Sequence, residues 1–328
     1  MARNGRIVGL DIAKSKVDGC IRSPLQRRME PSTPEGQAAL VAWLQANDVT
    51  TAVMEASGGY ERPWAQALRA AGIKVRIVDP KRVRHFAKSA GRLAKNDPID
   101  AEMIAWFGET FQDDIGQPHD PAREQLDYLV TARTALSKLL TQVGNQGEHR
   151  QPPVVAKAQA AIIKAIRAQL AKLDAAIAAA IKANPSFAER ARIIESVPGL
   201  ADRTAAGVIA WLPELGHITD KQAAALVGIA PYDCDSGQHV GERHIKGGRR
   251  ELRTLLYMPT VAAATRHNPV LKAYYLRLRA KGKKGKVAVV ACMRKLIVIL
   301  NTMLARGEVW NPPARATSPG AGAIPATA

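Results

Sequence analysis

The sequence predicts a mixed α/β domain over the first 120 residues, then a long helical arm, then a basic and mainly α-helical domain. Three observations carry that prediction. Short β-rich runs open the chain and then alternate with helical ones. From about 122 to 184 almost every residue suits a helix, apart from a break at Pro152 and Pro153. Positive charge is concentrated toward the C-terminus.

The first domain reads element by element. Residues 6–12, RIVGLDI, are apolar and β-rich. KVDGCIRS and LQRRMEPS follow at short spacing, which makes three strands joined by tight turns. TPEGQAALVAWLQAN reads as a helix capped by Ser32 or Thr33, with Ala39, Leu40, Trp43 and Leu44 on its apolar side. VTTAVMEAS is a strand, ERPWAQALRAAG a helix stopped by Gly72, and IKVRIVDP another strand. PKRVRHFAKSAG and PIDAEMIAWFGETF close the domain as helices. The order β-β-β-α-β-α-β-α-α is that of the ribonuclease H-like fold, a mixed sheet with helices on its faces.

In the arm, 121–186, Pro152 and Pro153 separate two helical runs. The second run carries Ile162, Ile166, Leu170, Leu173, Ile177 and Ile181 on one narrow stripe. Such a stripe fits either an antiparallel helical pair or a coiled-coil dimerisation arm. The third domain spans 187–310, and the Pro/Ala/Gly-rich tail, 311–328, is expected to be disordered.

The formal net charge is +18, and 241–310 holds sixteen Lys/Arg against three Asp/Glu. That imbalance calls for a polyanionic partner, most simply a nucleic acid. A membrane is not expected: the basic residues are not confined to one amphipathic helix, and the run VAVVACMRKLIVIL is broken by Arg294 and Lys295. No signal peptide is expected before the first strand. Cys20, Cys234 and Cys292 show no metal-ligand spacing and read as small buried thiols of a reducing cytoplasm.

Four carboxylates form a candidate site. Asp11 ends the first strand and Glu55 the fourth, and these strands lie side by side in the predicted fold. KNDPIDAEMIAWF places Asp97 and Asp100 in the first turn of the helix that packs near that end. Alone, each residue has a plainer reading. Asp97 before Pro98 is a normal helix start, Asp11 a strand-end turn former, and Glu55 a partner for Arg62. Glu61 lies past the Gly58–Gly59 turn and reads as a cap of the next helix. Glu102 faces away from Asp100. Together, four clustered carboxylates repel one another unless cations neutralise them, and two divalent ions suit phosphodiester chemistry. Oxygen-only ligands favour Mg²⁺, with Mn²⁺ as the alternative.

GLDIAK, MEASGGYERPW, VDPKRVRHFAKSAG and KNDPIDAEMIA closely resemble the N-terminal domain of DEDD-type transposases of bacterial insertion sequences. IIESVPGLADRTAAGVIAWLPEL, AAALVGIAPYDCDSGQHVGERHIKGGRRELRTLLY and KVAVVACMRKLIVILNTML resemble the C-terminal transposase domain of the same family. The resemblance covers about 1–310. It implies a RuvC-like catalytic domain, with Asp11, Glu55, Asp97 and Asp100 as the DEDD tetrad binding the metal. It also implies a catalytic serine at Ser236, a covalent serine–DNA intermediate, a homo-oligomer (dimer or tetramer), and guidance by a bridge RNA encoded by the element.

The residues of the second half add less by themselves. Ser236–Gly237 after Asp233 and Asp235 has the composition of a turn. Arg243, Lys246, Arg249 and Arg250 just downstream are candidate phosphate contacts. So are Lys95 beside the D-x-x-D pair and Arg277, Arg279, Lys281, Lys283, Lys284 and Lys286 in RLRAKGKKGK. VPGLADRTAAGVIAWL reads as a helix-hairpin-helix with Ala201 where a second glycine is usual, so a phosphate contact and a structural role stay open. The rival readings are a Holliday-junction-resolvase-like nuclease using the tetrad and water, and a non-catalytic nucleic-acid-binding protein.

Overall fold

The computed structural model describes residues 5–92, 97–112, 120–147, 149, 151–235 and 241–311. The chain divides into two compact units, Met1–Pro118 and His119–Ala328.

The first unit has strands β1 (Arg6–Ile12), β2 (Lys16–Ile21) and β3 (Gln26–Pro31), helix α1 (Pro34–Ala46), β4 (Val49–Glu55), α2 (Glu61–Ala70), β5 (Lys74–Val78), α3 (Pro80–Ser89) and α4 (Asp97–Thr110). The element order is the one the hydropathy pattern predicts. The five strands form one mixed sheet in the order β3-β2-β1-β4-β5. The β1–β2 and β2–β3 pairs are antiparallel hairpins, and β4 and β5 add in parallel after helical crossovers. Thr33 caps α1 by accepting from the Gly36 amide at 3.2 Å, and Asp79 caps α3 through the Lys81 amide at 2.9 Å.

Each sheet face buries its own cluster. Val8, Leu10, Ile12, Ala52 and Met54 pack with Leu40 and Leu44 of α1 and Trp64, Ala65 and Leu68 of α2. On the other face Val53 and Val78 pack with Val83 and Ala87 of α3 and Met103, Ile104 and Phe107 of α4. Arg76 of β5, almost wholly buried, donates to the carbonyls of Gly108 at 3.1 Å and Phe111 at 2.5 Å, which fixes the C-terminal end of α4.

The second unit is helical: α5 (Pro121–Gln146), α6 (Pro153–Ala183), α7 (Pro185–Glu195), α8 (Asp202–Trp211), α9 (Asp220–Val227), α10 (Arg250–Ala262), a π-helical turn (Ala263–His267), α11 (Pro269–Ala280) and α12 (Gly285–Arg306). A two-residue ribbon, β6 (Pro231–Tyr232) with β7 (His244–Ile245), interrupts it. Asp120 caps α5, Asn184 caps α7, and Pro153 and Pro185 begin their helices. α5 and α6 pack against each other, pinned by Arg133 on Asp174 at 2.8 Å. On the predicted stripe Ile166, Leu170 and Ile177 are buried, whereas Ile162 is 48% exposed. Leu139 of α5 is also exposed.

Two expectations need correction. α12 has 22 residues and is, by length and composition, apolar enough to cross a bilayer, because Arg294 and Lys295 are too few to break the run. Its apolar side is occupied within the core of the unit: Cys292, Met293, Leu296, Ile297 and Leu300 are all buried there. Of the thiols, Cys20 and Cys292 are buried but Cys234 is exposed, because it lies just after the short ribbon strand β6. Burial pushes the Cys292 thiol up to about 11, so it is inert at neutral pH.

Candidate active site

β1 and β4 run parallel with Gly9 beside Val53 and Leu10 beside Met54. One step further, the same register sets Asp11 beside Glu55. Strand alternation decides their face. Ile7 and Val53 belong to the cluster beneath α3 and α4, and Asp11 and Glu55 are in phase with them. Both carboxylates therefore project on the α4 side of the sheet, at the carboxyl end of their strands.

α4 lies directly on β1. A Cβ built on Gly9 would overlap the Ala101 carbonyl oxygen and the Ala105 amide nitrogen, and would lie 2.9 Å from Ala105 Cα. Further along the helix, a Cβ on Gly108 would lie 2.6 Å from Val53 Cγ2 and 3.2 Å from Ile7 Cγ2. Moving along β1 from Ile7 to Gly9 thus moves along α4 toward its N-terminus. The first helical turn, from Asp97 to Asp100, therefore lies toward the end of the sheet that carries Asp11 and Glu55.

Asp11, Glu55 and Asp100 are half-buried, and each is engaged by a neighbouring group. They offer a hard oxygen donor set. Among the described residues no three His, Cys, Asp or Glu side chains are close enough to hold a metal ion. The Asp97 side chain, Lys95 and Ser236 lie outside the described residues.

The neighbouring carboxylates have other work. Glu61, 6% exposed, accepts from Ser57 N at 3.0 Å, Ser57 Oγ at 2.9 Å and Gly59 N at 2.8 Å, which fixes the turn that follows Glu55. Burial pushes its carboxyl up, but its own amide and the Ser57 and Gly59 donors outweigh that and hold it below the ordinary range. Glu102 pairs with Arg27 of β3 at 2.6 Å. Sequence reasoning passed over Asp18, which sits opposite Asp11 on β2 and pairs with Lys16 at 2.9 Å. It lies within the predicted strand KVDGCIRS, and only the β1–β2 register reveals that it faces Asp11.

In the second unit β6 and β7 pair as the stem of a loop, and Ser236 falls in the stretch 236–240 outside its described residues. Beyond the Tyr232–His244 pair, Asp233 binds Arg243 at 2.5 Å and Asp235 accepts from the Gly241 amide at 3.0 Å. The loop's C-terminal flank is seated on α9. Gly228 and Gly248 both hold positive φ, and a Cβ on Gly248 would lie 2.7 Å from the Val227 carbonyl carbon. The Arg253 guanidinium clamps both strands of this contact, donating to the carbonyls of Gly228 at 3.1 Å and Gly247 at 2.8 Å.

Among the predicted phosphate contacts, Arg249 is turned inward. Its guanidinium donates to Glu214 at 2.7 and 2.5 Å and to the Trp211 carbonyl at 2.7 Å. Arg243 is exposed but held by Asp233, and Lys246 and Arg250 are exposed. In the 277–286 stretch Arg277 stacks over Tyr274 at 5.1 Å and Arg279 donates to the Lys283 carbonyl. Lys281, Lys283, Lys284 and Lys286 are exposed. The hairpin glycine Gly199 abuts Ala263 of the π-turn, where a Cβ would lie 2.7 Å from the alanine Cβ.

The Arg249–Glu214 geometry makes a prediction. Burial pushes the Glu214 carboxyl up, but the Arg249 hydrogen bonds and charge, with its own amide and Arg123, bring it below the ordinary range. Its stabilisation is therefore present above the unfolded carboxyl pKa of about 4.3 and is lost as pH falls through the folded value. Arg249→Gln should lower stability by about 2 kcal/mol at pH 7, below the range for fully buried pairs because the arginine is partly exposed. The deficit should shrink below pH 4 in denaturant titrations. The salt dependence of DNA binding should not change, since an inward-facing arginine releases no counterions.

Comparison with known proteins completes the picture. A DEDD transposase model of the IS110 type matches residues 8–149, and the model described as "Transposase IS116/IS110/IS902 family" matches 191–276. The chain is 27% identical over 301 residues to the "Pilin gene-inverting protein" of Moraxella lacunata, covering 89% of this chain and 93% of the relative. The protein of the same description from Moraxella bovis matches equally. The "Insertion element IS110 uncharacterized 43.6 kDa protein" of Streptomyces coelicolor is 30% identical over 159 residues, 48% of this chain and 38% of that one. These matches define an enzyme of DNA transposition and recombination. The chain belongs to the IS110 family of transposases. That family implies DNA as a partner and, through its DEDD domain, a general dependence on divalent metal.

Proposed function

We propose that the protein is a serine-dependent DNA recombinase of an insertion sequence, acting in the bacterial cytoplasm. The first unit would be a RuvC-like, ribonuclease H-like catalytic domain. The observation that carries this reading is the β1–β4 register, which sets Asp11 beside Glu55 on the sheet face that α4 covers. Asp11, Glu55, Asp97 and Asp100 would hold Mg²⁺, with Mn²⁺ as a substitute. When bound, a pair of such ions activates the attacking oxygen and stabilises the leaving one. Ser236 Oγ gives up its proton and attacks the scissile phosphorus. A P–O bond to serine forms, the bond to the 3′ oxygen breaks, and a 3′-hydroxyl is released. That hydroxyl, presented to a phosphoserine on another strand, reverses the step and frees the serine.

Gene inversion, the act for which the Moraxella relatives are named, requires each cut strand to be rejoined to a new partner. A covalent intermediate conserves the phosphodiester for that purpose. The Asp233–Arg243 and Asp235–Gly241 contacts brace the chain on either side of 236–240, which supports a role for that stretch. Lys95, Arg243, Lys246 and Arg250 join the 277–286 cations as phosphate contacts, whereas Arg249 positions the loop flank. The exposed apolar residues of α5 and α6, Leu139 and Ile162, support self-association through the helical pair. Target choice is assigned to a bridge RNA, which leaves backbone and shape recognition to the protein.

The test incubates the protein, the element's RNA and DNA carrying its ends with Mg²⁺, then resolves protein–DNA adducts under denaturing conditions. An adduct that is lost in Ser236→Ala is the expected result. Cleavage that survives Ser236→Ala but not Asp11→Ala would replace this reading with a resolvase-like nuclease. Salt-sensitive binding without cleavage would leave a binding protein.

A further inference from the structure

The carboxylate edge raises a problem that the fold itself answers. A strand entering this site carries a negative charge at every phosphate and meets the Asp11 and Glu55 carboxylates. Bound cations offset the charge at the scissile phosphate but not at its neighbours. A row of protein cations beside the site would do so.

Helix α3 supplies that row. Its ten residues include Lys81, Arg82, Arg84 and Lys88 and no Asp or Glu. At 100° per residue, Lys81, Arg84 and Lys88 fall on one side and Val83 and Ala87 on the other. Val83 and Ala87 are buried in the sheet cluster, and Phe86 meets Trp106 of α4 edge-on at 5.1 Å. Lys81 and Lys88 are exposed. Because its apolar side is already packed, α3 has no face left to insert into a membrane, which leaves a polyanion as the fitting partner.

Its position is also fixed. Val78 pairs with Glu55 across β4–β5, Asp79 is the cap, and α3 opens at Pro80. The helix thus begins two residues beyond the level of Glu55, on the sheet face that α4 shares. A cation-bearing helix and the carboxylate edge are neighbours within one unit.

We propose that the outer face of α3, through Lys81, Arg84 and Lys88, is a phosphate-binding track for the DNA strand cut at the Asp11–Glu55 edge. That this strand is the one cut rests on the catalytic reading above. The track itself rests on charge and placement.

The experiment measures DNA binding by the full chain against salt concentration, in EDTA, so that no chemistry contributes. Lys81→Gln/Lys88→Gln keeps helix propensity while removing two charges. Losing two duplex phosphate contacts should flatten the slope of log Kobs against log salt by about 1.8. Lys81→Arg/Lys88→Arg should keep the wild-type slope. A change of less than about half a unit would overturn the proposal. So would an equal change on removing two exposed charges of α6, Lys157→Gln/Lys172→Gln, because net charge alone would then explain the effect. A slope change with structured RNA but not with duplex DNA would overturn the assignment to DNA. Failure of the catalytic reading looks different: cleavage would persist in Asp11→Ala, whatever the slopes.

Discussion

Asp11→Asn is expected to lower Mg²⁺-dependent strand cleavage by more than about 100-fold, beyond the 10- to 100-fold typical of residues that only support a metal ligand. The substitution keeps the shape of the side chain and removes one negative charge from the edge where β1 and β4 end side by side. Thermal stability identifies the cause. Without divalent ion, each protein's own midpoint is the reference. With Mg²⁺, the wild type gains stability by mass action, about 2.7 kcal/mol at 100 times the dissociation constant, and Asp11→Asn loses that gain. Thermal melts with and without Mg²⁺, alongside a cleavage assay, read both. Cleavage at the wild-type rate, or an Mg²⁺-induced midpoint shift equal to wild type, would remove Asp11 from the metal site.

Much of the first unit is legible because its signals are local. Alternation marks the strands, Thr33 and Asp79 cap helices in the expected way, and the β-β-β-α-β order fixes which strands are neighbours. Asp11 and Glu55 are readable for the same reason, since both end apolar runs of adjacent strands. What was hidden depends on partners far along the chain. Arg249 reads as a surface cation until Glu214, 35 residues away, takes its guanidinium. Asp18 shows its place only through its register with Asp11. β6 and β7 are two residues each, too short for any periodicity, so the stem that exposes Cys234 and flanks Ser236 leaves no pattern. The cation face of α3 was legible, since Lys81, Arg84 and Lys88 recur at helical spacing. It was obscured by the larger charge excess between 241 and 310.

Gly9→Ala is the second large effect. The added Cβ meets backbone atoms of α4, which cannot rotate away as a side chain would. The helix must move outward, and overpacking of this kind costs about 1–3 kcal/mol, occasionally more. Arg76 resists the shift at the other end of α4 through the Gly108 and Phe111 carbonyls, so the displacement concentrates in the first turn, where Asp97 and Asp100 lie. A movement of about 1 Å there is enough to cost roughly 100-fold in rate. On the proposed metal-binding role of Asp97 and Asp100, the half-saturating Mg²⁺ concentration should rise with it. Leu40→Ala on the opposite face separates position from stability. It should destabilise by about 2–5 kcal/mol, at least as much as Gly9→Ala. It leaves α4 seated on Gly9, so cleavage per folded molecule and Mg²⁺ dependence should stay near wild type. Equal losses per folded molecule in the two variants would leave the Gly9–α4 contact with no role beyond stability.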